Sequence, residues 1–388
     1  MTHPDSYELR KFVSPEFVFG SGALHLAGRY AKNFGANKVF VVSDKNVIDA
    51  GWTEKVIESL EEEDLSCTVF SNVTPNPRAE EVMQGVDLYK REDCDVIVAV
   101  GGGSPIDCAK GIGIVSTNGR NVMEFEGVDQ IPVPGPPLIC IPTTAGSSAD
   151  VSQFAIITEV STHRKAALVS KMLVPDTSLI DPDTTVTMPK NLTANTGLDA
   201  LTHSIEAYVS NASSPITDLF ALNAVSLITP NLPEVIRNPD NKEYRGKMML
   251  GSLEAGLAFS NASLGATHAM AHSLGGVEDL PHGESNSLLL RHVMEFNYDT
   301  VPQRYERIGE AMGLNLAGLD HTGKKTVVLE AVASLIEACG RKETLGQLGV
   351  RQEHLPELAR QALKDACMVT NPRPMSLKDV ETIYERAL

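Results

Sequence analysis

One stretch constrains the fold of this chain more than any other. Asp95-Val-Ile-Val-Ala-Val100 is almost wholly apolar and runs straight into Gly101-Gly-Gly-Ser-Pro-Ile-Asp107. A short apolar run without polar alternation suits a strand covered on both faces, as in parallel sheets flanked by helices. The glycines that follow let backbone N–H groups approach a ligand with no Cβ in the way. Ser104 can cap a helix, Pro105 suits its first position, and Asp107 stands where a capping-box acid would. A glycine-rich loop feeding a helix N-terminus is an anion site, because free N–H groups and the helix dipole converge on it. The loop is neither G-x-G-x-x-G nor a P-loop, so neither fingerprint applies. Read blandly, it is a tight turn before a well-capped helix.

The rest of the first half repeats the theme. Lys38–Val42, 67–70, Leu138–Pro142 and 154–158 read as further strands. Amphipathic helical patterns over 52–63 and Ala79–Arg91 lie between the first three strands. Strand, helix, strand at this spacing predicts βαβ units and a mostly parallel, doubly wound sheet. The pattern changes between Asp181-Pro182 and Pro189. Beyond it, 193–210, 215–227, 244–260, 265–274, 326–339 and 355–367 all read at helical period, and no strand is evident. The expectation is an α/β domain over residues 1–187 and an all-helical domain over 188–388. A length of 388 residues accommodates two domains.

Composition removes several function classes. Lys and Arg total 33 against 50 Asp and Glu, a formal net charge of −17. That balance argues against a broad nucleic-acid or anionic-membrane footprint, so neither partner is expected. No segment is read as the roughly 20 apolar residues that cross a bilayer. The start, Met1-Thr-His-Pro-Asp-Ser, lacks the basic and apolar regions of a signal peptide. Six cysteines (67, 94, 108, 140, 339 and 367) form no C-x-x-C pair. They are expected to be reduced thiols in a cytoplasmic protein.

Candidate ligands gather in two places. Asp44 ends an early strand, where an acid can accept hydrogen bonds from the ribose hydroxyls of NAD and repel a 2′-phosphate. Thr143-Thr144-Ala-Gly146 follows another strand end and can add hydroxyls to the same crevice. Both positions equally suit ordinary turns. In the helical half, Asp199 and His203 are four apart, as are His268 and His272, and Pro281-His282-Gly283 follows. Residues four apart on a helix share a face. One carboxylate and several imidazoles make a nitrogen/oxygen site for a borderline divalent ion. Spacing alone chooses neither the metal nor which of the five candidates bind it. His3, His25, His163, His292, His321 and His354 lack such company and read as structural or exposed.

Taken together, these segments resemble the iron-containing (group III) alcohol dehydrogenases. Gly101-Gly-Gly-Ser-Pro-Ile-Asp-Cys-Ala-Lys110, Pro142-Thr-Thr-Ala-Gly146 and Gly197-Leu-Asp-Ala-Leu-Thr-His203 carry the likeness. Gly265-Ala-Thr-His-Ala-Met-Ala-His-Ser-Leu-Gly275, Pro281-His-Gly283 and Thr370-Asn-Pro-Arg-Pro374 extend it over nearly the whole chain. The resemblance implies a Rossmann-like dinucleotide-binding domain, then an all-α domain, with the active site in the cleft between. It implies Asp199, His203, His268 and His282 as ligands of Fe(II), or alternatively Zn(II), and His272 as a group near the nicotinamide. It implies Asp44 at the adenosine ribose and Gly101, Gly102, Gly103 and Ser104 at the pyrophosphate. Thr143, Thr144, Asn76 and Lys165 become further NAD contacts, and Phe259 a wall of the alcohol pocket. A homodimer or higher homo-oligomer is implied as well.

Two places depart from the family pattern. Ser147-Ser-Ala-Asp150 replaces Thr-Gly-Ser-Glu, and Arg291 stands where a proline usually precedes His-Val. The chemistry implied is NAD-linked interconversion of a small alcohol and its aldehyde, with the metal polarising the substrate oxygen and His272 relaying the proton. Rival readings are a glycerol or diol dehydrogenase of the same fold, a dehydroquinate synthase, and a non-catalytic regulatory scaffold. The small apolar neighbours of the metal candidates speak against a phosphorylated polyhydroxy acid.

Overall fold

The computed structural model describes residues 9–162 and 164–388. The opening residues and His163 lie outside that range. The first part of the chain alternates: β1 (Glu16–Phe19), α1 (Ala27–Asn33), β2 (Lys38–Val42), α2 (Lys45–Asp49), α3 (Trp52–Glu61), β3 (Ser66–Phe70), α4 (Ala79–Arg91), β4 (Val96–Gly101) and α5 (Gly103–Asn118). The short β5 (Gly127–Val128), β6 (Leu138–Pro142), β7 (Phe154–Glu159), β8 (Arg164–Val169) and β9 (Thr177–Ile180) follow. Six strands form a wholly parallel sheet in the order β1-β9-β6-β4-β2-β3. β4 lies near its middle and is buried at all six residues, as its apolar run requires. On one face Phe40 packs edge-on to Tyr89, with ring centres 5.5 Å apart, beneath α4. On the other, Val41 and Val98 meet Val56 and Leu60 of α3.

Four strands escape sequence reading, among them the two-residue β5. β1 and β9 are only four residues each, and β8 carries Arg164 and Lys165 at its start. The run at 154–158 is a strand, but it belongs to a separate sheet, β5-β8-β7, not the main one. There β7 pairs antiparallel with β8, setting Lys165 opposite Thr158.

Past the turn at Pro182–Thr187 the described chain is helical: α6 (Lys190–Val209), α7 (Pro215–Arg237), α8 (Lys242–Ala262), α9 (Ala266–Val277), α10 (His282–Asn297), α11 (Pro302–Ala311), α12 (His321–Ala338), α13 (Leu355–Ala362) and α14 (Leu377–Ala387). α6 is buried along nearly all of its second half among α7, α8 and α10. Its buried hydroxyls are satisfied within the helix: Thr202 donates to the Leu198 carbonyl (2.8 Å) and Ser204 to that of Ala200 (2.8 Å). A helix so solved can carry polar side chains through a core.

Several expectations are corrected. α7 runs ten residues past its predicted end, through Pro230 and Pro233. At 23 residues it is long and apolar enough to cross a membrane, contrary to the sequence reading. Here its Ala221, Val225, Ile228 and Leu232 are buried against α6 and α8. The start of α5 also differs. Gly102, not Ser104, is its cap residue, and Pro105 falls two residues inside the helix. Asp107 closes no capping box; its carboxylate accepts the Ile156 N–H at 3.1 Å, tying α5 to β7.

Lys110 makes the same tie one turn on. It is buried, and its ammonium donates to the carbonyls of Ser152 and Phe154, both at 2.8 Å. Lys110→Met would strand both carbonyls. It should lower unfolding free energy by about 3 kcal/mol, read from the shift of the chemical denaturation midpoint.

Candidate active site

A cavity of about 680 Å³ lies between the sheet and the helices. At one end are the loops after β2, β3, β4 and β6. Asp44, Asn76, Gly102, Gly103, Ser104, Thr143, Thr144 and Lys165 all line it. Gly101 does not. It is the last residue of β4, with φ 156°, and a Cβ there would stand 2.6 Å from the Pro105 ring. Its part is to turn the chain so that Gly102 and Gly103 open α5 toward the cavity.

Asp44 caps α2, its Oδ1 accepting the N–H groups of Asn46 (2.8 Å) and Val47 (3.1 Å). Oδ2 is not engaged in those bonds. Lys165 is half-buried and donates to Asn76 Oδ1 at 2.9 Å. Burial lowers its ammonium to about 8, against the opposing pull of Asp279, Asp199 and Asp107. It remains a cation at neutral pH and lines the cavity beside Asn76. Asp107, pushed up to about 6 by burial, also lines the cavity.

The departure at 147–150 has a local account. Ser147 faces the Gly103 backbone across the cavity wall. Ser148 takes φ 50° and donates to the Ser252 carbonyl of α8 (2.7 Å), while Asp150 accepts from Ser178 of β9 (2.7 Å). Both side chains serve packing and leave Ser147 and Ala149 to the cavity. Nothing in the structure explains Arg291, which is half-buried on α10 and does not line the cavity.

At the other end, three helices converge. α6 brings Asp199 and His203, α9 brings His268, and α10 begins at His282. Oδ1 of Asp199 lies 3.5 Å from Nε2 of His268, 3.6 Å from Nε2 of His282 and 3.8 Å from Nε2 of His203. Gly283 permits the approach: a Cβ there would sit 2.4 Å from the Asn195 carbonyl oxygen of α6. Phe259 of α8 stacks on His203 with ring centres 4.2 Å apart and lines the cavity beside it. His272, one turn after His268, also lines it and lies flat against His282 at 5.2 Å.

Three site residues were not singled out from sequence. Glu206 is buried on the same face of α6 as Asp199 and His203, and its Oε2 is 2.6 Å from Nδ1 of His268. It also accepts the N–H groups of Gly265 (3.1 Å) and Thr267 (2.6 Å), filling the open N-terminus of α9. Asn286, one turn into α10, sets Nδ2 2.7 Å from Asp199 Oδ1, 3.1 Å from His268 Nε2 and 3.2 Å from His282 Nε2. Asp365 is 2.9 Å from Nδ1 of His272. The run Asp199, His203, Glu206 at i, i+4, i+7 was a readable signal for the first; Asn286 and Asp365 carried none.

The donor chemistry fits a divalent cation. Glu206 accepts the Nδ1 proton of His268, so Nε2 offers a lone pair inward beside the Asp199 carboxylate. Burial pushes Asp199 up, yet His203, His282 and His268 together hold it well below the carboxylate range. Burial lowers His203 to about 4 and holds His282 well below its ordinary value, so both are neutral lone-pair donors at pH 7. His268 is the exception: burial opposes its charge, but bonds to Asp199 and Glu206 raise it to about 9. A cation between Asp199 and His268 would replace that proton. Glu206→Gln keeps the shape but weakens the orienting acceptor. It should weaken affinity for Fe(II) or Zn(II) by 10–100-fold, measured by chelator competition.

Comparison with known proteins bears on what this site belongs to. Residues 14–182 match the model of the iron-containing alcohol dehydrogenases, and residues 193–388 match that of the Fe-containing alcohol dehydrogenase family, C-terminal part. A 1,3-propanediol dehydrogenase of Citrobacter freundii is 38% identical, over 98% of this chain and 100% of its own length. Alcohol dehydrogenase 4 of Schizosaccharomyces pombe is 40% identical, over 97% of this chain and 89% of its own. The crystal structure of a 1,3-propanediol oxidoreductase superposes with a TM-score of 0.96 at 37% identity, covering 98% of this chain and 100% of that one. Matched along nearly its whole length by the family models, by these relatives and by a solved structure, this chain belongs to the iron-containing alcohol dehydrogenase family.

Proposed function

We propose that the chain interconverts a small primary alcohol or diol and its aldehyde, with Asp199, His203, His268 and His282 holding the metal and the glycine loop holding NAD. Membership of the family makes it an NAD-dependent, metal-dependent oxidoreductase, with Fe(II) as the metal and Zn(II) as the alternative. When bound, the metal supplies a Lewis acid to the substrate oxygen and NAD supplies the hydride carrier. The observation that carries the reading is the sharing of one cavity by the donor cluster and the glycine loop.

The chain's own residues then divide the labour. We take residues 1–187 as the part that holds the dinucleotide and 188–388 as the part that holds the metal. Asp44 accepts the adenosine ribose hydroxyls through the carboxylate oxygen its cap bonds leave over, and favours NAD over a 2′-phosphorylated form. The N–H groups at Gly102, Gly103 and Ser104, with Lys165 and Asn76, meet the pyrophosphate side, and Gly101 aims them. Thr143 and Thr144 add hydroxyls. Phe259 and the rings of His203 and His272 wall the space where the carbinol carbon would sit, which keeps the alcohol small. His272 is the proton relay. A diol is the favoured second reading, supported by the 1,3-propanediol dehydrogenase among the relatives. The whole set of ligands and loop residues speaks against a non-catalytic scaffold.

We further take the protein to be a cytoplasmic homodimer or higher homo-oligomer with no nucleic-acid or membrane partner. Supporting this, β1 is an edge strand with Phe17 and Phe19 exposed, and Ile216 and Leu219 stand out on α7. The six cysteines are free.

The test is turnover by anaerobically Fe(II)-loaded protein, followed by NADH absorbance at about 340 nm across short alcohols and diols. Activity with NAD on short primary alcohols or 1,3-diols is expected, with Asp44→Ser admitting NADP. Failure with every metal and substrate would favour the scaffold.

A further inference from the structure

Thr370-Asn-Pro-Arg-Pro374 follows α13, about a hundred residues from the metal candidates in sequence. The structure seats it on the first turn of α9. Asn371 is buried; its Oδ1 accepts the Ala266 N–H (3.2 Å) and the Asn297 amide (2.9 Å), and its Nδ2 donates back to Asn297 (2.9 Å) and to the Arg373 carbonyl (2.7 Å). Thr370 donates to the Leu264 carbonyl at 2.6 Å. These bonds fix the short turn Ala366–Thr370 against the helix that carries His268 and His272. Asp365 caps that turn, Oδ1 accepting the Cys367 N–H at 2.8 Å, and its other oxygen meets Nδ1 of His272 at 2.9 Å.

The geometry of the pair is directional. His272 is buried and Asp365 largely so, at 8% and 11% side-chain exposure. His272 lines the cavity and Asp365 does not, so the ring spans from a buried acid to the reaction space. Burial pushes the Asp365 carboxyl up, but His272 and the Cys367 N–H hold it down to about 2. It is therefore a carboxylate, an acceptor only, and the His272 nitrogen facing it must carry hydrogen.

We propose that Asp365 is the positioning residue of His272, holding it as the Nδ1–H tautomer with Nε2 as the bare lone pair on the cavity side. The 370–374 motif is the brace that keeps Asp365 in place. The inference rests on the alcohol dehydrogenase reading of the site. The step it serves moves one proton: the substrate O–H bond breaks, its electron pair stays on oxygen, and an N–H bond forms at Nε2. The resulting imidazolium keeps its Nδ1–H on Asp365 and passes the Nε2 proton to water. An imidazole in the other tautomer has no lone pair to offer there.

The wild-type tautomer is readable without any variant. Nitrogen NMR of protein labelled with 15N-histidine and loaded with Zn(II), with His272 assigned by its loss in His272→Gln, should show Nδ1 protonated and Nε2 bare. Asp365→Asn keeps an acceptor for Cys367 but can present an amide N–H to Nδ1. It should invert the tautomer and lower kcat by about 100-fold or more, with KM for NAD and metal content within twofold of wild type. Asp365→Glu, which restores a carboxylate, should recover the Nδ1–H signal. A wild-type Nε2–H tautomer, or Asp365→Asn with unchanged kcat, would overturn the assignment. If wild-type protein turns over no alcohol, the functional reading fails, and the tautomer still reports on the pair by itself.

Discussion

A single oxygen atom organises this molecule. Oδ1 of Asp199 lies within 4 Å of three imidazole Nε2 atoms that arrive on three different helices. Lone pairs and a carboxylate crowded together without positive charge repel one another. Such a cluster persists only where a cation or shared protons neutralise it and the backbone leaves it no alternative. The backbone does so here through α6, which bonds its Thr202 and Ser204 hydroxyls within the helix and turns Asp199 and His203 to this one point. α9 is held to α6 by Glu206, which accepts from the first turn of α9 and from His268 in the same stroke. α10 is held by the close passage of Gly283 over Asn195.

The sheet supplies the other half of the argument. β4 is buried because it is apolar on both faces, and because it is central its C-terminal end opens into the cavity. Ligands of parallel α/β sheets bind beyond the carboxyl ends of the strands, and the loops after β2, β4 and β6 all stand there. The tie from Lys110 to the carbonyls before and within β7 sets the second sheet, and with it Lys165, against the same opening. The glycine loop and the histidine cluster thus share one space as a consequence of packing, with each element stabilised by contacts of its own.

What could be read from sequence follows from range. The glycine loop, the i, i+4 pairs and the period of the helices are local patterns, and they placed Asp199, His203, His268 and His272 on helices and the glycine loop between a strand and a helix, whereas the helix that His282 opens was not read. The structure brings all of them, with Asp44, Asn76, Thr143, Thr144, Lys165 and Phe259, onto one cavity. Non-local facts were not legible. β1 and β9 are too short to show a period and exist because they pair with each other and with β6. α7 continues through two prolines because packing against α6 and α8 overrides the local preference to stop. Ser104 was misread as a cap because Gly102 already holds the extended conformation that starts α5. Asp365 meets His272 from 93 positions away, a pairing that no spacing rule encodes.

The central claim is that one cation sits among Asp199, His203, His268 and His282, within reach of the nicotinamide end of NAD. Anomalous diffraction at the iron absorption edge, on crystals grown anaerobically with Fe(II) and NAD, tests it most directly. The account predicts one strong peak at about 2.0–2.3 Å from a ligand atom of each of those four residues, with the dinucleotide's ring alongside. A peak bound elsewhere, or a metal that leaves any of the four unbound while the enzyme is active, would contradict it.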